Sequence, residues 1–295
     1  MLVTHRVRLP RIISGTGRAG AIVVATCVGA FFLNKYLLQP HFEVPALVPT
    51  MLGSALAFFI GFNNNQAYGR WWEGRIIWGG LVNESRTWAR LVITFMGDTA
   101  TSKQLVRRQI SFIYALKDFL RGSKGGTWRE YLTDADRDVI QSTRNRHNAI
   151  LLMQGRALQT AYAEKKIDGY QLLELERALS NLTNEMGKAE RIKSTVFPTT
   201  YSYYTYWFVF LLIISITAVV GNAIGAWAIL FGWLIGYVFI TIHTIGQMLL
   251  NPFEPTPTGL ALDQISRNIE INLLEMLGEK DLPAPVTPVN GEYVL

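Results

Sequence analysis

From Ser194 to Phe253 the chain contains no Asp, Glu, Lys or Arg, with Lys193 and Glu254 bounding the stretch. Crossing the hydrocarbon core of a bilayer takes about 20 apolar residues of helix. The run therefore holds two crossings, and Gly221-Asn222-Ala223 with Gly225 supplies turn chemistry near its middle. It reads as a helical hairpin in lipid.

Two further spans lie near the N-terminus. Ala19 to Leu33 is uncharged and apolar, and Tyr36-Leu37-Leu38 lengthens it if Lys35 snorkels to the interface. Val44 to Gly69 is also uncharged and is closed by Arg70, while Pro40 and Pro45 punctuate the gap. Charged residues make up 17% of the chain, against about 25% in soluble domains. The expected architecture is an all-α membrane protein: four transmembrane helices plus a helical cytoplasmic domain.

Charge placement sets the orientation. Arg6, Arg8, Arg11 and Arg18 precede the first span, and the first acid is Glu43. Positive residues stay in the cytoplasm, so both termini and the charge-rich block after Arg70 are expected there. The organisation expected is 1–69 for the N-terminus and two spans, 70–193 for the cytoplasmic helices, 194–253 for two spans, and 254–295 for a C-terminal segment. No small-residue cleavage pattern follows Leu33, so retention of the N-terminal segment is expected. Cys27 stands alone in the first span and reads as a packing residue.

The cytoplasmic block reads as helices. Leu105, Ile110, Ile113, Leu116 and Leu120 predict one helix over Lys103 to Leu120, ended by Gly122 to Gly126. Asp134 to Lys166 reads as one long polar helix stopped at Ile167-Asp168-Gly169, with Gly169 as its cap. Leu172, Leu175, Leu179, Leu182 and Met186 form a stripe that reads as bundle core. The Pro-rich tail from Asp281 is expected to be extended or disordered.

Several motifs exclude functions. Gly15, Gly17 and Gly20 match a dinucleotide fingerprint, but no strand precedes them and a lipid-spanning helix follows, so the context fails. His5, His41, His147 and His243 lack metal-ligand spacing with one another or with Cys27. His243 lies in the fourth span, where a helix–helix hydrogen bond is the favoured expectation. No nucleophile–base arrangement emerges. The sequence points away from an enzyme, and no cofactor, metal or nucleic-acid partner is expected.

The second span carries the functional signal. Ser54, Phe58 and Phe62 recur every four residues and stack on one helix face. Asn63-Asn64-Asn65-Gln66 follows, and four amides in hydrocarbon cost several kcal/mol by order of magnitude unless they face protein or water. Two readings fit. One is a pore helix with an apolar constriction opening into a wetter vestibule at Asn63, Asn65 and Gln66. The other is an aromatic packing stripe with a polar interfacial end. Beyond it, Arg70 and Glu73 are spaced to pair, and Trp71 and Trp72 suit the headgroup level, so the four read as an interface anchor.

Phe58-Phe59-Ile60-Gly61-Phe62 running into Arg70-Trp71-Trp72, Gly187 to Arg191 before Pro198, and Asn251-Pro252-Phe253 together resemble the bestrophin family, over roughly residues 5 to 275. The resemblance implies a homopentameric ion channel of the bacterial inner membrane, with one central pore, whose partners are the bilayer, its own copies and inorganic ions. It places the pore neck at Ser54, Phe58 and Phe62, where Ser54 departs from the family's larger apolar residue. It places a cytoplasmic aperture at Tyr170, with Ile167 one turn away. The acid run that binds calcium in animal relatives is replaced by Glu254-Pro255-Thr256-Pro257-Thr258-Gly259, so no calcium clasp is expected. Chloride-type anion passage is the family expectation; a monovalent-cation channel of the same fold, or a non-conducting scaffold or carrier subunit, are the alternatives.

Overall fold

The computed structural model describes residues 9–38 and 43–295, with side chains in the first helix described from Gly17 onward. Arg6 and Arg8, on which the orientation leans, lie outside the described residues, as does Pro40. The elements are helices: α1 (Leu9–Leu33) with a π-helical turn (Asn34–Leu38), α2 (Leu47–Met96), α3 (Ala100–Arg121), α4 (Asp134–Gln141), α5 (Arg146–Ala163), α6 (Gly169–Ser194), α7 (Thr199–Ile224), α8 (Trp227–Leu249) and α9 (Leu262–Met276). Among the described residues four helices are long and apolar enough to cross a membrane: Gly17–Leu37, α2, α7 and α8. The glycines of the rejected dinucleotide match all lie within α1.

Two expectations about the helices between Arg70 and Lys193 are corrected. Asp134 to Lys166 is two helices, because local side chains cap both ends of a break. The Ser142 and Thr143 hydroxyls donate to the Val139 and Ile140 carbonyls (both 2.8 Å), and Asn145 accepts from the Asn148 amide to start α5. Gly169 does not cap α5. That helix closes through Lys165, which adopts φ 56°, with the Lys166 amide reaching back to the Ala161 carbonyl at 2.8 Å. Asp168 instead opens α6 in a reciprocal capping box with Gln171.

The chain forms two compact units, one of Thr4–Arg70 with Val196–Leu250, the other of Trp71–Thr195 with Asn251–Leu295. In the first, α1, α7, α8 and α2 as far as Arg70 bury Val23, Cys27, Leu56, Ile60, Val209, Leu212, Ile213 and Ile240. Lipid tails are as apolar as these side chains, so close packing and polar contacts hold the helices together. Gly232 and Gly236 supply the approach: a Cβ at Gly236 would stand 2.6 Å from Ile213 and 2.9 Å from Val23. Polar clasps fix the register. Asn34 donates to Asn222 Oδ1 (2.8 Å) and the Ala218 carbonyl (3.2 Å), and Asn64 donates to the Ile242 carbonyl at 2.9 Å. Gly225, at φ 62°, turns α7 into α8.

The second unit is built on Trp78, Trp88, Trp128, Phe112 and the apolar stripes of α3 and α6, all inside one buried cluster. Its buried charges are paired. Arg108 grips Asp136 through two parallel bonds of 2.8 and 2.9 Å, and Glu270 takes the hydroxyls of Tyr114 and Tyr131 and the Arg267 guanidinium. The C-terminal tail is extended and docked. Val289 and Tyr293 pair across the Asn290-Gly291 turn, Val294 is buried, and the Leu295 carbonyl accepts from the Gln264 amide at 3.0 Å. Gln264 lies in the first turn of α9, where amides lack intrahelical partners.

Two variants test these contacts. Burial by itself raises the Asp136 carboxyl, but Arg108, Gln104 and Thr133 more than offset it, so the group titrates below its ordinary 3.8. Asp136→Asn leaves Arg108 buried without its counter-charge and is expected to cost about 3–5 kcal/mol at neutral pH. The native pair contributes above the unfolded carboxylate value, about 3.9. The gap between the wild-type and variant unfolding midpoints should therefore narrow as pH falls below that value through the lower folded one. Gly246→Ala would drive a methyl into the Asn64 side chain and displace it from Ile242. A loss of about 1–3 kcal/mol is expected, read as a lower unfolding midpoint in detergent.

Candidate functional site

Helix α2 has two unlike faces within the first unit. Leu56, Ile60, Asn63 and Ala67 are buried, following the three-and-four spacing of a single helix side. On the opposite side Met51, Ser54, Phe58, Phe62 and Asn65 are exposed. Phe58 is 79% exposed and Phe62 52%, so neither ring is part of the packed core of this chain. That removes the intrachain reading of the aromatic stripe. Aromatic packing of α2 uses Phe59 instead, stacked on Tyr201 of α7 at 4.8 Å between centroids. Ser54 donates to the Thr50 carbonyl at 2.9 Å, which satisfies its hydroxyl on the open face.

The amide run divides between the faces. Asn65 and Gln66 are exposed and lie near Phe62 on the helix wheel, whereas Asn63 is 1% exposed and turned inward. The expectation that Asn63 opens to a vestibule is corrected: each residue rotates about 100° around a helix, so four successive amides cannot share a side. His243 also departs from expectation. Both of its ring nitrogens are buried without a hydrogen-bond partner, and its ring meets the edge of Tyr206 at 4.8 Å.

Of the aperture pair, Tyr170 is 84% exposed on the first turn of α6. Ile167 is 4% exposed and belongs to the core of the second unit, because it lies on the turn that α5 and α6 close over. Of the two, only Tyr170 is exposed. The expected Arg70–Glu73 pairing gives way to other partners. Arg70 Nε donates to the Leu250 carbonyl at 3.0 Å, where the end of α8 leaves carbonyls unpaired, and Glu73 takes the Arg191 guanidinium.

In the second unit Trp71-Trp72, Arg191 and the Asn251-Pro252-Phe253 turn converge at the start of its share of α2. Trp71 Nε1 donates to the Thr258 carbonyl (2.9 Å), and the Trp71 and Trp72 rings stack at 6.4 Å. A Cβ at Gly74 would stand 3.2 Å from Pro252 and Leu260, tighter than ordinary contact, so glycine eases the close approach of the Asn251-Pro252-Phe253 turn. That turn is held by Asn251, which accepts from the Phe253 amide and donates to Glu254 at 3.0 Å, and by a buried Phe253. Arg191, at the end of the Gly187–Arg191 stretch, closes the set through Glu73. Gly74 and Arg191 carried no partner signal in the sequence, since their contacts lie more than a hundred residues away along the chain. Among the described residues no group of three or more His, Cys, Asp or Glu side chains is placed to hold a metal ion.

Comparison with known proteins matches this arrangement. A family model describing bacterial and fungal bestrophin proteins covers residues 9–275. The voltage-dependent anion channel-forming protein YneE of Escherichia coli is 30% identical over 81% of this chain and 79% of its own. A protein of the same description from Ralstonia nicotianae is 29% identical over 79% and 78%. The crystal structure of a bacterial bestrophin homologue from Klebsiella pneumoniae superposes with a TM-score of 0.82 at 23% identity, over 89% of this chain and 98% of that one. With a family model matched over residues 9–275 and a fold shared over most of its length, this chain belongs to the bestrophin family.

Proposed function

We propose that this chain is one subunit of a homopentameric anion channel of the bacterial inner membrane, conducting monovalent ions passively through a hydrophobic neck. The observation that carries the reading is the open face of α2. Two large aromatic rings are left uncovered on a helix whose other side is fully packed. In a ring of copies that face turns toward the axis, and Ser54, Phe58 and Phe62 line the neck in that order. The relatives named as anion channel-forming proteins support the choice of ion class.

The mechanism follows from ring chemistry. An ion in the neck sheds part of its hydration shell and meets phenyl groups in return. Ring edges are electropositive and faces electronegative, so edges turned inward favour an anion. Ser54 widens and wets one end of the constriction, and Asn65 and Gln66 rehydrate the ion at the other. Tyr170 is the candidate for a second, cytoplasmic narrowing. The loop after Asn251-Pro252-Phe253 carries Glu254 as its single carboxylate. A calcium site wants six to eight oxygen ligands, several of them anionic, so the channel works without calcium.

Planar-bilayer recording under asymmetric sodium chloride tests the ion class. A reversal potential near the chloride equilibrium value is expected; one near the sodium value makes this a cation channel of the same fold. Phe58→Ala and Phe62→Ala should each raise single-channel conductance, and unchanged currents in both would put the constriction elsewhere. Adding micromolar calcium should leave the current as it was, so calcium-dependent activation counts against the missing clasp. Particle mass in detergent checks the assembly: a monomer or dimer would favour the scaffold or carrier alternative.

A further inference from the structure

The inner side of α2 holds a polar layer that none of the described residues satisfies. Asn63 is 1% exposed and both atoms of its amide lack partners, and His243 is fully buried with both ring nitrogens unpartnered. Ile60 and Ile240 belong to one buried cluster, and Asn64 ties α2 to α8 through the Ile242 carbonyl. One turn past Ile60 along α2 comes Asn63, and one turn past Ile240 along α8 comes His243. The contacts of Asn64 with the Ile242 carbonyl and with Gly246 set Asn63 level with the stretch of α8 that carries His243. Gln247, a further turn along that side of α8, has its Nε2 buried without a partner, and Asn64 Oδ1 is in the same state.

An unpaired amide or imidazole in hydrocarbon costs several kcal/mol by order of magnitude, so these groups need a partner. Another subunit cannot reach Asn63 and His243, which are 1% and 0% exposed. The chemistry of the set then decides the ligand. Asn63 and Gln247 offer amide donors, His243 one donor and one acceptor, and Asn63 and Asn64 carbonyl oxygens. An anion would leave the acceptors unmet, and a metal cation would leave the donors unmet. Water alone answers both, and internal waters typically make about three hydrogen bonds to such groups.

We propose that α2 and α8 enclose an ordered internal water cluster bound by Asn63, His243 and Gln247, on the side of α2 opposite Phe58 and Phe62. It is separate from the ion path and holds whether or not the neck reading is correct. The cluster supplies the hydrogen bonds that direct helix contacts fail to supply, and so fixes the packed face of α2 in the lipid.

Pulsed X-ray radiolysis with mass spectrometry tests this on the full chain in detergent, because radicals formed from bound water oxidise the side chains beside it. His243 should be oxidised in the wild type, although bulk solvent does not reach it. In Asn63→Leu the yield at His243 should fall several-fold while that at the exposed Tyr170 is unchanged. If Asn63→Leu does not fold, Gln247→Leu takes its place with the same expectation. His243 left unoxidised in the wild type at a dose that labels Tyr170 would overturn the proposal, as would equal His243 oxidation in wild type and folded variant. The first result would mean that the layer closes dry, by direct contact between the side chains; the second would mean that the oxidation at His243 does not come from water held by Asn63.

Discussion

Inside a bilayer a backbone amide has no water to bond with, and the unit formed by Thr4–Arg70 and Val196–Leu250 is arranged around that fact. Helices satisfy their own interiors, so the remaining problem is at their ends and on their polar side chains. Arg70 answers it for the last carbonyls of α8, and Asn34 answers it for Ala218 at the far end of α7. The Thr205 and Thr244 hydroxyls bond back to carbonyls one turn earlier in their own helices. Where no such partner exists, as at Asn63 and His243, the same constraint turns a packing detail into a binding site.

Close approach is the second requirement, and glycine meets it. Gly232 lies against Thr217 and Cys27, Gly236 against Ile213 and Val23, and Gly246 against Asn64. Each removes a Cβ where another helix needs the space, and the last also creates the room in which Asn64 reaches Ile242. With hydrophobic attraction between helices absent in lipid, these fitted contacts decide which side of α2 is packed. Phe58 and Phe62 are open because Ile60, Asn63 and Ala67 are claimed.

In the second unit the balance is different. A large tryptophan-rich core carries the packing, and buried ions are tolerated where their geometry is complete, as in Arg108–Asp136. Gly74, Arg191 and the Asn251-Pro252-Phe253 turn meet there around Trp71 and Glu73. Their spacing along the chain reflects the lengths of the helices between them, and their chemistry is that of one tight junction.

The sequence by itself determined the spans, because a charge-free run from Ser194 to Phe253 has few alternatives in water or lipid. It determined the helical character of the rest, the break after Arg121 and the family, through motifs whose residue types are local. Caps were less legible. The division at Ser142 to Asn145 and the start of α6 at Asp168 depend on which hydroxyl or carboxylate wins a given amide, and more than one candidate stood near each. Which side of α2 faces inward was decided only by tertiary structure, since Asn63, Asn65 and Gln66 are alike to any reading by composition. The same holds for Ile167, buried beside an exposed Tyr170, and for His243, whose missing partner is visible only once every neighbour has its place. A helix repeats every 3.6 residues whatever surrounds it, and only the packed neighbours choose which phase of that repeat is covered.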